Sequence, residues 1–330
     1  KVLSVEERNI RTAWIFRSLH FRRMVIPVLL GVSFLVFTLM YFTPGDPAAI
    51  ILGAEATKEQ IAITRHEMGL DQPFLIRYFK YVWDAIHLNF GTSYVNGRSV
   101  MTELIQRFPY TFRVALISVG ISMLIGIPLG VMAAVNQYTW KDNLSMMVAL
   151  FCRSMPNFWF ALMLVLFFSL KLNLLPAMGV DSWKCYILPC FAIGVGSAAG
   201  LARQTRSAML EVIRQDYVTT ARAKGQTERK IIYGHAFRNA LIPIITQVGT
   251  SLGHQMGGAI IAESIFSIPG IGSYMSTAIG SRDYPVVQGG VLFIAVVFAF
   301  TMLLVDILYA FADPRIKSRY SSSKKKAKAA

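Results

Sequence analysis

Apolar residues along the chain gather into runs of about 20, the length that crosses a bilayer core as a helix. These runs predict six spans, at 24–43, 111–135, 145–170, 186–203, 243–263 and 289–311. Pro156, inside the third, is predicted to kink it, because proline cannot donate to its i−4 carbonyl and crowds it. Gly126 and Gly130 in the second span, and Gly249, Gly253 and Gly257 in the fifth, recur every fourth residue, a spacing that lets helix backbones touch. In the second span the stripe is expected to pack within the chain. In the fifth it is read with Gln247 and His254 as lining a pore or meeting a second subunit.

The polar segments 44–110 and 204–242 are too long to be simple connections. The first opens on the turn signal Pro44-Gly45-Asp46-Pro47, and Thr57-Lys58-Glu59-Gln60 then reads as a helix N-terminus with acid in the first turn. A second short helix is predicted over Pro73 to Leu88 and a third over Val100 to Phe108, giving a small helical cap. In the second segment a short helix runs through Asp216, Thr219, Thr220, Ala221 and Ala223 to Gly225, where a left-handed cap needs glycine. A further helix starts at Thr227 and leads into the fifth span. A short helix with a small-residue surface fits a groove on another protein; it fits equally an amphipathic helix resting on lipid headgroups.

Composition sharpens the class. Of 330 residues 54% are apolar and 15% charged, too few charges for an ordinary soluble domain and too apolar for a disordered chain. The net charge of +15 sits beside the spans instead of forming one stripe with interleaved aromatics, so nucleic acid is excluded as a partner. Basic residues concentrate before the first span, between spans four and five, and in the tail. By the positive-inside rule both termini are therefore cytoplasmic. The tail lysines Lys324, Lys325, Lys326 and Lys328 suit either anionic membrane lipid or a solvated tail. No cleavable signal is visible, so the first span is expected to remain as an anchor.

Chemistry of its own is not expected of the chain. There is no Gly-Lys dipeptide, hence no Walker-type phosphate loop, and the five histidines make no H-E-x-x-H pair. Cys152, Cys185 and Cys190 show no metal-site spacing. Catalytic and metal residues are thus none. The charged residues within or at the ends of spans, Arg153, Glu263 and Asp306, are too costly in hydrocarbon to stand free and are expected to face a cavity or a partner, or, Asp306 above all, to snorkel to the near interface. Pro156 and Asn157 join the pore or interface candidates.

Thr219-Thr220-Ala221 with Gly225 four residues on, followed by His235, Asn239 and Pro243, resembles the EAA loop of ABC importer permeases, although Thr219-Thr220 stands where the name-giving Glu-Ala would be. The match is specific to the oligopeptide and dipeptide permease family. It runs through Gly69-Leu70-Asp71-Gln72-Pro73, Arg153-Ser154-Met155-Pro156-Asn157-Phe158-Trp159, Glu263-Ser264-Ile265-Phe266-Ser267-Ile268-Pro269-Gly270-Ile271-Gly272 and Arg282-Asp283-Tyr284-Pro285. The resemblance implies an all-α polytopic membrane protein of the type I importer (MetI-like) kind, with six transmembrane helices, a cytoplasmic coupling helix and an extracytoplasmic helical cap.

Its divisions would be a basic extension 1–23, longer than the resemblance implies, the first span 24–43, the cap 44–110, a permease core 111–313 holding the EAA loop 204–242, and a basic tail 314–330. The implied setting is the cytoplasmic membrane. The implied partners are a homologous second permease, two cytoplasmic ATPases and an external peptide-binding protein. ATP and Mg would sit on the ATPases and no cofactor on this chain. The implied cargo is a peptide, with nickel or another small solute as the alternative.

Overall fold

A computed structural model describes residues 25–53 and 55–312. The extension 1–23 and the tail 314–330 lie outside the described residues. Among those described, secondary structure is helical apart from one isolated bridge, Thr92 to Ser99. Helix α1 covers Val25–Phe42. It is followed by α2 (Pro47–Leu52), α3 (Lys58–Glu67), α4 (Phe74–Ile86), α5 (Val100–Val135), α6 (Trp140–Ser154) and α7 (Asn157–Leu164). After a 3₁₀ turn at Trp183–Tyr186 come α8 (Ile187–Ile213), α9 (Asp216–Ala223), α10 (Glu228–Lys230), α11 (Phe237–Gly258), α12 (Ile260–Ile265), α13 (Ile271–Gly280) and α14 (Tyr284–Ala312).

Four of these stretches are long and apolar enough to cross a membrane: Val25–Phe42, Val100–Val135, Trp183–Ile213 and Tyr284–Leu308. The α6–α7 pair makes a fifth if it counts as one span. The predicted third span is therefore broken. Met155 is extended, as a residue before proline is pushed to be, and the helices on either side of Met155–Pro156 differ in direction by 95°. The fifth predicted span is a 22-residue helix, α11, and its Gln, His, Thr and Ser residues keep it out of the apolar set. The third cap helix is also corrected: Val100 to Phe108 is the beginning of the 36-residue α5, which continues through Pro109 without a break.

Among the described residues the chain divides into two compact units, 114–255 with 300–312, and 25–113 with 256–299. In the first, small residues bring backbones together. A side chain at Gly126 or Gly130 would strike the carbonyls of Ala198 or Ala202, so α5 and α8 touch along that stripe within the chain. Val131, Leu201, Met209, Ile232, Ala236 and Ile244 form the core beside it. Asp142, at the start of α6, accepts from Arg206 of α8 through both carboxylate oxygens.

The second unit is centred on Val100, Leu104, Ile271, Met275, Val286 and Val287. Here the predicted start of α3 is a full capping box: Thr57 Oγ1 accepts from the Gln60 N–H, and the Gln60 side chain accepts from the Thr57 N–H. Asp283 is buried and fastens the segment after α4, accepting from the Ser93 hydroxyl and from the Tyr94 N–H at 3.0 Å.

Candidate functional site

The site is built around α9. The chain leaves α8 through Gln215, which is extended and whose N–H bonds the Val212 carbonyl, so the direction changes before Asp216 opens the new helix. Asp216 places a carboxylate in the first turn, where the helix dipole favours it.

The far end is a Schellman turn. Gly225 has φ +73°, its N–H bonds the Arg222 carbonyl at 2.9 Å, and the Gln226 N–H bonds the Ala221 carbonyl at 3.3 Å. A Cβ added at Gly225 would meet nothing within 4 Å, so glycine is required by the backbone angle alone.

Three contacts seat the helix. Val218 and Ala221, three residues apart and so on one face, are buried against Ile231. Arg222 donates to Glu228 through Nε at 2.7 Å and Nη2 at 3.3 Å, which holds the Glu228 carboxyl below its usual range. Gln226 Oε1 lies 2.8 Å from His235 Nε2, while Asn239 Nδ2 donates to the His235 carbonyl at 2.7 Å. Partial burial pushes the Tyr217 phenol up, and the Asn239 side chain is its hydrogen-bond partner.

Of the expected contact residues, Asp216, Thr219, Thr220, Ala223, Gly225 and Asn239 are exposed, His235 and Pro243 are half-buried, and Ala221 faces inward. Ala221 thus supports the helix from beneath instead of belonging to its exposed surface. The exposed side is small and mildly polar, and Thr220 Oγ1 donates to the Asp216 carbonyl. Such a surface offers shape and backbone proximity to a partner, not chemistry.

The pore or interface candidates separate by environment. Arg153, Pro156 and Asn157 are exposed beside α8, with the Arg153 guanidinium and the Asn157 amide next to Gly200 and Gly196. His254 is exposed, Gln247 is half-buried with Nε2 3.4 Å from Ser251 Oγ, and Gly253 is buried. The stripe on the fifth span packs internally where its neighbours are seen: Gly249 lies on Val305 and Gly257 on Ile294, both of α14. The spacing G-x-S-x-G also occurs at Gly249–Gly253, but inside a helix, without the strand-to-helix elbow that exposes a nucleophile.

Glu263 is a correction, because it faces neither cavity nor partner. It is fully buried. Oε1 accepts from Thr111 Oγ1 at 2.7 Å, Oε2 accepts from the Ser273 N–H at 2.9 Å, and Thr111 Oγ1 in turn accepts from the Ile271 N–H at 2.9 Å. A side chain at Gly270 would strike the carboxylate. The Glu263–Gly272 motif is therefore a loop folded onto its own glutamate.

A chain whose described residues are helical, with several helices of bilayer length, is an integral membrane component. It belongs to the family of binding-protein-dependent transport system inner membrane components, whose model matches residues 126–318, while the model of that family's N-terminal part matches 15–115. It is thus a multi-pass inner membrane protein and a permease of the oligopeptide and dipeptide ABC importer group.

Among its relatives is the glutathione transport system permease protein GsiC of Salmonella paratyphi A, 40% identical over 293 residues, covering 89% of this chain and 96% of that protein. GsiC of Escherichia coli K12 is 39% identical with the same coverage. The dipeptide transport system permease protein DppB of Alkalihalophilus pseudofirmus is 39% identical over 322 residues, covering 89% of this chain and 97% of that protein. Among solved structures, the inward-facing MetNI methionine ABC transporter has the same fold, with a TM-score of 0.55 at 19% identity over 64% of this chain and 97% of that one.

Proposed function

We propose that this chain is the transmembrane permease subunit of an ATP-driven importer for oligopeptides or dipeptides, forming half of a pathway completed by a homologous permease. An external binding protein delivers the peptide. Two ATPases on the cytoplasmic face, where both termini of this chain also lie, hold ATP and Mg and hydrolyse the nucleotide; this chain catalyses nothing and binds no cofactor. The glutathione and dipeptide names of relatives about 40% identical along nearly their whole length support the peptide cargo, and none of them supports the nickel alternative.

The single observation carrying the coupling role is the presentation of α9. Its inner face is fixed by Val218, Ala221 and Ile231, its end is set by Gly225, and its outer face of Thr219, Thr220 and Ala223 is left open. A docked ATPase that moves on nucleotide binding would drag α9 as a rigid piece. The Arg222–Glu228 bridge and the Gln226–His235 contact would pass that movement to α10 and to the π-helical stretch Ile231–Ala236 that leads into α11.

The test is purification in mild detergent, mass spectrometry of bound proteins, and ATPase assay with and without peptide and its binding protein. Recovery of a second permease and ATPases with peptide-stimulated hydrolysis is the expected result. A chain recovered alone that moves solute without ATP would contradict it.

A further inference from the structure

Helix α4 has two unlike faces. On one, Phe74, Tyr78 and Tyr81 meet the rings of α1, with centroids 5.0 Å apart for Phe74 and Tyr41, 5.3 Å for Tyr78 and Phe34, and 5.8 Å for Tyr81 stacked on Phe37. The Tyr78 hydroxyl donates to the Leu30 carbonyl at 3.3 Å and lies 3.1 Å from Ser33 Oγ. Tyr81 donates to the Gln288 carbonyl, one turn inside α14, at 3.1 Å.

On the other face stand Leu75, Ile76, Phe79, Trp83 and Ile86, between 55% and 69% exposed. At the helical step of about 100° per residue all five fall within an arc of roughly 100°. No charge lies inside that arc. Lys80 borders it, and Arg77 points elsewhere, donating to the Leu70 carbonyl beside the Tyr41 ring.

Depth decides what covers this face. The 18 described residues of α1 reach roughly 27 Å, close to the hydrocarbon thickness of about 30 Å, and the apolar run they carry is preceded in the sequence by Arg22 and Arg23. Leu30 precedes the Phe42 end by twelve residues, roughly 18 Å along the axis. A helix whose tyrosine reaches Leu30 and Ser33, and whose next turn touches α14 inside its first turns, runs beside the spans and not above them. An apolar face exposed at that depth meets acyl chains, not water or a soluble protein.

We propose that α4 is inserted in the hydrocarbon beside α1, entering from the side on which α1 ends at Phe42. Its Leu75–Phe79–Trp83–Ile86 face rests in the acyl chains. The helix then lies lower than the cap expected from the sequence, and serves as a lateral anchor in lipid. The proposal needs α1 to span the membrane and is independent of the cargo.

Two measurements test it. In the full chain with Trp14, Trp140, Trp159 and Trp183 changed to Phe, Trp83 emission in phosphatidylcholine vesicles is expected to be quenched about twofold or more when the lipid is brominated in its acyl chains. Unchanged emission, with quenching by aqueous iodide instead, would overturn the proposal. If that variant does not fold, Trp83→Phe in the otherwise native chain should remove a lipid-quenched fraction of the total emission, and no such loss would count against insertion. In the assembled transporter, p-benzoylphenylalanine in place of Phe79 is expected to give a lipid adduct on irradiation. A crosslink to another protein subunit would show that a protein covers this face and would refute lipid contact.

Discussion

Arg206 grips Asp142 from 64 positions away, its Nε and Nη2 each donating at 2.7 Å to a separate oxygen of a carboxylate that is almost wholly buried. The fork fixes α6 to α8 just before α8 leads to α9, so it sets where α9 is presented. Removing one partner leaves the other unpaired.

Asp142→Asn is therefore expected to destabilise the chain by about 2–4 kcal/mol, somewhat less than a wholly buried pair because Arg206 is partly exposed. The double change Asp142→Leu with Arg206→Met should recover much of that loss. Thermal unfolding of the purified chain in detergent checks both. Additive losses in the double variant would show that the two residues act separately.

Gly225 tests the presentation of α9 from the other side. Gly225→Ala meets no neighbour but strains the backbone by about 1–2 kcal/mol, and Gly225→Asn is tolerated better in the left-handed region. Peptide-stimulated ATPase activity should fall in the order Gly, Asn, Ala, Val. Equal activity in the alanine and valine variants would mean that the Schellman turn does not position the helix.

Ala221 and Thr219 should fail differently. Ala221→Trp forces a large ring between Val218 and Ile231, an overpacking of about 1–3 kcal/mol that loosens the segment and exposes it to protease. Thr219→Trp leaves the protease pattern unchanged and only blocks the exposed face, so ATPases no longer co-purify. Full co-purification with Thr219→Trp would remove the docking role from that face.

Glu263→Ala is expected to lower stability by about 2–4 kcal/mol, since it strands the Ser273 N–H and the Thr111 hydroxyl in the interior. Apparent affinity for peptide should be unchanged in the material that folds. Reduced affinity with normal stability would return Glu263 to the transport pathway.

Local features were the most legible in the sequence. The capping box at Thr57, the left-handed glycine at 225 and the break at Pro156 each depend on residues within a turn or two, and each is found in place. The inward face of Ala221 was also within reach, since Val218 three residues earlier puts two apolar side chains on one side. Burial of Glu263 was not, because Thr111 is 152 positions away and only the folded second unit brings them together. The same holds for Asp142 and Arg206. The 95° angle at Pro156 also lay beyond the sequence: proline dictates a break, while the new direction is set by what α7 packs against.

The central claim is ATP-driven peptide import, and uptake of a radiolabelled dipeptide into vesicles carrying the assembled transporter tests it most directly. Uptake that requires ATP and the binding protein, and is lost with Thr219→Trp while the complex's other permease remains bound, is the predicted result. Equal uptake without ATP, or full uptake by the Thr219 variant, would contradict the account.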